Sequence, residues 1–369
     1  MKKNIKIIIS GGGTGGHIFP AIAIAQALKR INSEIDILFV GAKGKIEEKK
    51  VPEAGFDIKL LDIRGFQRKF SFETLKNIFR LFASIIKSKK IIKKFKPDVV
   101  VGVGGYASGP LVFSATKKGI PALIQEQNSY PGVTNKILSK KASKICVAYS
   151  GMERFFPKNK IILTGNPVRK KIVDTSATKE EVLSFFNLEA DKKVILSLGG
   201  SGGAKSINDS IKLNIEKIAK QDFYFIWQTG KNYFEESKKA VEDAGAKNIL
   251  VYDFISRMDL AYKAADIVIS RAGAGTISEL ELLGKATILI PSPNVAEDHQ
   301  TKNAMALVNE NAAIIVKDVE AREKLVDEAI NLINNEERIN ELSENISKLK
   351  KENSDHKIAE EVLKLIKQN

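Results

Sequence analysis

The sequence predicts an α/β protein made of two doubly wound, parallel-sheet domains, and three features carry that expectation. Residues 5–29, IKIIISGGGTGGHIFPAIAIAQALK, run from an apolar β-branched stretch through six residues of which five are glycine, and on into an apolar pattern at helical spacing with Pro20 near its start. That is strand, tight turn, helix. Residues 194–219 repeat the device, with the turn Gly199-Gly200-Ser201-Gly202-Gly203 between an apolar run and a helical pattern. Around both, short apolar runs alternate with helical segments, as a doubly wound sheet requires. Two Rossmann-like domains facing each other satisfy all three.

In chain order, a second strand is expected at 34–40 and a short segment at 56–63, followed by a basic helical region that Lys96-Pro97-Asp98 ends. Residues 99–103 read as a buried strand entering a second glycine turn, GGYASGP, before a helix at 111–117. The next strand, 121–125, leads to Glu126-Gln127-Asn128, polar groups at a strand's carboxyl end, where open parallel sheets place their ligands. Strands at 144–148 and 161–163 complete the first half. Thr164-Gly165-Asn166-Pro167-Val168-Arg169 reads as a hinge, since glycine and proline interrupt the sheet pattern, and it divides the chain into 1–164 and 165–354.

In the second half a helix at 204–219 and strands at 223–228, 249–252, 267–270 and 287–290 continue the alternation. Residues 270–279, SRAGAGTISE, are strand end, small-residue loop and helix start, with Glu279 early in the helix. Residues 291–303 carry Glu297, Asp298, His299, Gln300 and Asn303 in a loop long and polar enough to be functional. Charged helix is expected from about 336, and 355–369 is amphipathic enough to pack back on the first domain.

At 369 residues, 43% hydrophobic and 28% charged, the chain has material for two full cores. One cysteine, Cys146, excludes a disulfide framework and suits a reducing compartment; it lies in an apolar stretch and should be buried and inert. Residues 5–9 are too short for a signal-peptide core, and no apolar run is long enough for a bilayer, so a cytosolic or peripheral protein is expected.

The net charge of +15 is concentrated: between Arg64 and Lys96 stand eleven Lys or Arg against one acid, Glu73. Phe66, Phe70, Phe72, Phe79, Phe82 and Phe95 lie among them. From Leu75 on, Ile78, Phe79, Phe82, Ile85 and Ile86 fall on one helical face, with Lys76, Arg80, Lys87, Lys90 and Lys94 largely elsewhere. Two accounts compete. A core-packing helix would bury the apolar face; a surface for anionic lipid would expose it, each basic residue adding about 1 kcal/mol near the headgroups. No nucleic-acid partner is expected, because no DNA- or RNA-binding motif accompanies the charge.

Glycines 11, 12, 13, 15 and 16 remove the side chains that would hold a ligand off the backbone, so amides at the helix start can face a phosphate. Gly11, Gly13 and Gly16 also fit G-x-G-x-x-G, a weak signal alone. A nicotinamide site would want an acid closing the second strand, yet that strand ends in Phe39-Val40-Gly41-Ala42, which argues against an oxidoreductase.

Taken together and in this order, GGGTGGH, GGYASGP, EQN, GNPVR, GGSGGA, RAGAGTISE and HQTKNA span nearly the whole chain. They closely resemble the MurG family, bacterial transferases that add N-acetylglucosamine to undecaprenyl-diphosphoryl-N-acetylmuramoyl-pentapeptide (lipid I), giving lipid II in peptidoglycan synthesis. The resemblance implies a GT-B glycosyltransferase fold, two Rossmann-like domains with parallel sheets facing across a cleft. Its N-terminal domain would bind acceptor and membrane, and its C-terminal domain UDP-N-acetylglucosamine. It implies inversion at the anomeric carbon, no nucleotide-bound metal and no cofactor, at the cytoplasmic face of the membrane. The sequence agrees on the metal to the extent that it contains no D-x-D. The charge on departing UDP then falls to helix N-termini and basic residues, at roughly 0.5–2 kcal/mol per helix end.

By the same resemblance Thr14, Gly15 and Gly16 border the donor sugar, and Asn128 touches its hydroxyls. Arg169 and Ser201 contact the diphosphate, a task suited to a guanidinium fork and backbone amides. Ile255 presents backbone groups to the uracil. Ala274, Gly275, Thr276 and Glu279 line the nucleotide, with the Glu279 carboxylate on the ribose hydroxyls, and Gln300 holds the hydroxyls of N-acetylglucosamine. Two departures are visible: Gly202 stands where many relatives carry glutamine, and His299 where some have a second glutamine. Gly104, Gly105, Tyr106 and Ser108 of the second loop are candidates for the acceptor's diphosphate.

The acceptor's 4-hydroxyl must lose a proton as it attacks, so a base within reach is expected. His17 is the candidate, because the positive end of a helix disfavours imidazolium; the alternative is that it only shapes the glycine turn. Glu126 is the reserve base. Rival functions are a related GT-B lipid glycosyltransferase, a sugar-nucleotide epimerase, which has no use for the basic segment, and a non-catalytic membrane-binding subunit, which has no use for the donor residues.

Overall fold

The computed structural model describes residues 4–65, 72–168, 170–200 and 202–367. Three consecutive isoleucines set the plan of the first sheet: Ile7, Ile8 and Ile9 are all fully buried, alternately on opposite faces, as a central strand covered by helices on both sides demands. They lie in β1 (Lys6–Ser10). After it come α1 (Gly15–Ile31), β2 (Asp36–Ala42), α2 (Glu47–Glu53), β3 (Asp57–Leu61) and α3 (Phe72–Phe95). Then follow β4 (Val99–Gly102), α4 (Ser108–Thr116), β5 (Ala122–Glu126), α5 (Val133–Ser139), β6 (Lys144–Val147) and β7 (Ile161–Leu163). Among the described residues this sheet has seven parallel strands in the order β3-β2-β1-β4-β5-β6-β7.

The second unit opens with α6 (Lys170–Val173), α7 (Lys179–Phe186), β8 (Lys193–Leu198), α8 (Lys205–Leu213) and α9 (Ile215–Ala219). It continues through β9 (Phe223–Gln228), α10 (Phe234–Asp243), β10 (Ile249–Tyr252), α11 (Met258–Ala264), β11 (Ile267–Ser270) and α12 (Ala274–Leu283). It closes with β12 (Ala286–Leu289), α13 (His299–Val308), β13 (Ile314–Ile315), α14 (Ala321–Ile333) and α15 (Glu336–Leu349). Its parallel strands run β10-β9-β8-β11-β12-β13. The buried Trp227 of β9 donates its indole N–H to Asn208 Oδ1 at 2.9 Å, which fixes α8 against the sheet.

The chain divides into residues 1–168 with 351–369, and 169–350. The first sheet holds the strand-to-linker segment beyond 164: Thr164 and Gly165 both donate to Val147 O, at 3.0 and 3.2 Å, and Asn166 Nδ2 donates to Gln127 O at 3.0 Å. The return is equally firm. A last helix, α16 (Ser354–Lys367), lays Ile358, Ala359, Val362 and Leu365 into the core on the α1 face of the first sheet, and Asp355 pairs with Arg30.

Three local expectations change and one open alternative is decided. The helix expected at 204–219 breaks at Asn214, whose φ of −118° leaves the helical range and whose side chain bonds back to Ser210 O at 2.8 Å. Helix α4 begins at Ser108, earlier than 111, because Pro110 is tolerated within a first turn. The expected loop 291–303 turns into α13 at His299 after two residues with positive φ, Glu297 and Asp298, so Gln300 and Asn303 are helical. Helix α3 decides between the two accounts left open. Asn77, Ser84 and Ser88 are buried, while Phe79 is 69%, Phe82 60% and Ile86 57% exposed, so the core-packing account of its apolar face is overturned. Phe66 and Phe70 lie outside the described residues.

Cys146 is buried in β6, where desolvation pushes its thiol up to about 12 and keeps it protonated. Among the described residues no helix is long and apolar enough to cross a membrane.

Candidate active site

In each sheet the strand order reverses between two central strands, β1 and β4 in the first, β8 and β11 in the second. A crevice opens beyond the carboxyl ends of strands at such a point. The four glycine-rich loops leave those same four strands, and the helices they enter, α1, α4, α8 and α12, begin with neither a side-chain cap nor an acid in the first turn. The starts of α5 and α13 share both features, whereas α7 starts with a full capping box from Thr178 and Glu181, and α15 with Asn335. Helix starts that lack a cap leave amide donors and a positive dipole end for an anion.

In the first unit the two loops interlock. Gly105, at φ +75°, sits so close to the first loop that a Cβ placed on it would lie 2.2 Å from Gly12 O; one on Gly104 would lie 2.9 Å from His17 Nδ1. Tyr106 returns the contact, its hydroxyl 3.1 Å from where a Gly13 Cβ would be. His17 is thus held between loops, with Thr14 and Gly16 exposed beside it. Its Nδ1 faces Gln127 Oε1 at 3.1 Å. Ser108 is fully buried and donates to Gly105 O at 2.9 Å, so it secures the turn instead of facing outward to an acceptor.

Glu126 is enclosed. Its Oε1 accepts from Asn128 N and Nδ2 at 3.1 and 3.2 Å, and its Oε2 from Gly132 N and Asn135 Nδ2 at 3.2 and 2.9 Å. Burial holds its carboxyl above the usual range, the four N–H groups offsetting that push only in part. With both oxygens engaged, Glu126 braces Asn128, a geometry that suits support better than the reserve base role.

A buried acid beside these loops was missed. Glu47, at the start of α2, accepts from Gly13 N at 3.0 Å through each oxygen and from Ala42 N at 2.9 Å. The acid absent from the end of the second strand therefore exists five residues later and folds back, but it faces protein amides. It also occupies the Gly13 amide that the glycine pattern alone would assign to phosphate.

In the second unit the residues gather at the carboxyl edge of the sheet. Gln228 at the end of β9, also missed, accepts from Ile255 N at 2.9 Å and reaches Gly200 O at 3.4 Å, so the Ile255 amide is engaged. Its signal was a lone polar residue closing the run FYFIW. Glu279 takes a hydrogen bond from Tyr262 OH at 2.9 Å, which aims the carboxylate. Ala274, Gly275 and Thr276 form the first turn of α12. Gln300 Oε1 accepts from Ser292 N at 2.8 Å, and buried Asn303 donates to Ala272 O at 3.4 Å. Arg271 binds Ile290 O at 3.1 Å, Ser206 Oγ at 3.1 Å and Asp318, joining the loops after β11 and β12 to α8. Arg169 and Ser201 lie outside the described residues.

Two Rossmann-like units with glycine loops at both reversals are the build of GT-B glycosyltransferases. Residues 7–147 match the glycosyltransferase family 28 N-terminal domain and 194–362 the family 28 C-terminal domain. The chain belongs to glycosyltransferase family 28. It is 56% identical over 350 residues, 95% of this chain and 93% of the relative, to the Phocaeicola vulgatus protein named UDP-N-acetylglucosamine–N-acetylmuramyl-(pentapeptide) pyrophosphoryl-undecaprenol N-acetylglucosamine transferase. Among solved structures, MurG of Acinetobacter baumannii superposes with a TM-score of 0.79 at 27% identity, covering 98% of this chain and 99% of that one. The UDP-GlcNAc 2-epimerase of Neisseria meningitidis, solved with UDP-GlcNAc, reaches a TM-score of 0.69 at 17% identity, covering 98% of this chain and 100% of its own, and shares the fold alone.

Proposed function

We propose that this protein transfers N-acetylglucosamine from UDP-N-acetylglucosamine to the 4-hydroxyl of lipid I, with inversion, giving lipid II. The observation that carries this reading is likeness over nearly the whole chain to a transferase named for that reaction. The acceptor oxygen attacks the anomeric carbon, the bond to the β-phosphate of UDP breaks, and His17 takes the hydroxyl proton on Nε2. Helix starts α8 and α12, with Arg169 and Ser201, offset the charge on UDP without a nucleotide-bound metal. Glu279, aimed by Tyr262, takes the ribose hydroxyls, Ile255 the uracil through its carbonyl, its amide being bound to Gln228, and Gln300 and Asn128 the sugar hydroxyls. Tyr106, over the first glycine loop, meets the acceptor.

The outward face of α3, with Phe79, Phe82 and Ile86 among Lys87 and Lys90, supports peripheral attachment to anionic lipid at the cytoplasmic face, where a lipid-linked acceptor resides. No nucleic acid enters this scheme.

UDP release, measured in chelator with UDP-N-acetylglucosamine or its galacto epimer and with or without a polyprenyl-diphosphoryl muramoyl acceptor, tests the function. Release is expected only with the gluco donor and the acceptor together; equal release with either donor, or without acceptor, would refute it. His17→Ala should lower turnover by roughly 100-fold or more at unchanged UDP affinity. Normal turnover in that variant removes His17 as the base. Replacing Lys87 and Lys90 with Glu should release the protein from anionic vesicles at low salt, and unaltered cosedimentation would leave α3 as a solvated surface.

A further inference from the structure

Three buried amide side chains behind His17 form a ring whose orientation is fixed by groups that can only accept. Gln125, Gln127 and Asn166 are all at least 97% buried. Gln127 Nε2 donates to Val103 O at 2.9 Å, and Asn166 Nδ2 donates to Gln127 O at 3.0 Å. Both partners are backbone carbonyls, so neither amide can be turned over without setting oxygen against oxygen. With Asn166 held this way, its Oδ1 accepts from Gln125 Nε2 at 3.0 Å, and Gln125 Oε1 accepts from Gln127 Nε2. Every member of the ring confirms the next. What remains of Gln127 is Oε1, an acceptor, and it faces His17 Nδ1 at 3.1 Å.

We propose that Gln127 is a positioning residue: it holds the proton of neutral His17 on Nδ1, which makes Nε2 the ring's proton acceptor. This rests on the reading of His17 as the base. An imidazole in water favours the opposite tautomer, with its proton on Nε2, a form that cannot take the hydroxyl proton at that atom. The hydrogen bond at one ring nitrogen decides the role of the other. The ring of amides supplies what a carboxylate partner would otherwise supply, without adding a charge next to the imidazole. It also explains why a glutamine lies between Glu126 and Asn128, with its side chain turned inward while theirs form a separate cluster.

The test is proton–nitrogen correlation NMR on the full chain labelled with ¹⁵N-histidine. The protein has three histidines, and a His17→Ala spectrum identifies the signal of interest. At a pH where His17 is neutral, the unmodified protein should show the Nδ1–H pattern; an Nε2–H pattern overturns the proposal without any substitution. In Gln127→Leu, which removes the acceptor at similar volume, the tautomer should move toward Nε2–H. In the same variant kcat should fall roughly 10-fold or more, while UDP affinity, which reports on the other unit, stays unchanged. An unmoved tautomer in Gln127→Leu overturns the proposal. A moved tautomer with unchanged kcat overturns instead the assignment of His17 as base, so the two failures are distinguishable.

Discussion

In the first unit a Cβ on Gly12 would lie 2.1 Å from Glu47 Oε1 and one on Gly105 2.2 Å from Gly12 O, whereas in the second unit, among the described residues beyond the local backbone, nothing lies within 4 Å of that position at Gly200, Gly202 and Gly275. The same letter at the same topological point therefore answers to two causes. Around His17 the glycines are needed because the protein packs on itself, loop against loop, with Glu47 closing the amide a ligand would otherwise use. At the uncapped start of α12, Gly275 lacks both positive φ and crowding, so neither backbone nor packing demands glycine there, and the proposed nucleotide is what its open space would serve. Gly199 and Gly203 show that the second unit also contains packed glycines, against Ala204 N at 2.5 Å and Thr229 O at 2.2 Å, so the contrast is between positions rather than whole loops.

Substitution can break this contrast. Gly105→Ala combines a positive φ with a backbone clash, and should destabilise the protein by about 2–4 kcal/mol in urea unfolding; a loss below about 1 kcal/mol would mean the loops can part freely. Glu47→Gln keeps the shape and can leave its oxygen on both amides, but it replaces the second acceptor facing Gly13 N with an NH2 donor, and should cost about 1–3 kcal/mol by the same measurement. Gly275→Ala should reverse the pattern, with stability within about 0.5 kcal/mol and UDP affinity about 10-fold weaker by calorimetry. If UDP affinity holds there, the open space is not the nucleotide's. Gly202→Gln should do least, altering neither stability nor UDP affinity by more than about 0.5 kcal/mol, since open space accommodates the side chain many relatives are expected to carry.

Much of the fold was legible because buried parallel strands are continuous apolar runs bounded by turns, and β7, β9, β10 and β11 fall at the expected residues. Periodicity was weaker on direction. It found an amphipathic α3 but could not say which face points inward, because Ser84 and Ser88 pack against neighbours that only the folded chain supplies; Ser114 Oγ, for instance, reaches Ile85 O at 3.5 Å. The glycine loops, His17 and Glu279 were visible as motifs. Glu47 and the amide ring were not, since each acts through a contact distant in sequence: 34 residues from Gly13 to Glu47, and 110 from His17 to Gln127. Nothing in local spacing encodes such a partner.

Helix α16 gives the first unit a late completion. Residues 169–350 form one uninterrupted unit, while the face of β1 that carries Ile7 and Ile9 is covered in part by Ile358, Ala359, Val362 and Leu365. During translation the second half of the protein can close its core while the first, made earlier, still waits for its final turns. A chain released after residue 350 would carry every core residue of its second unit but leave the first without the four side chains of α16, so truncation at that point should expose apolar surface in the half that was made first.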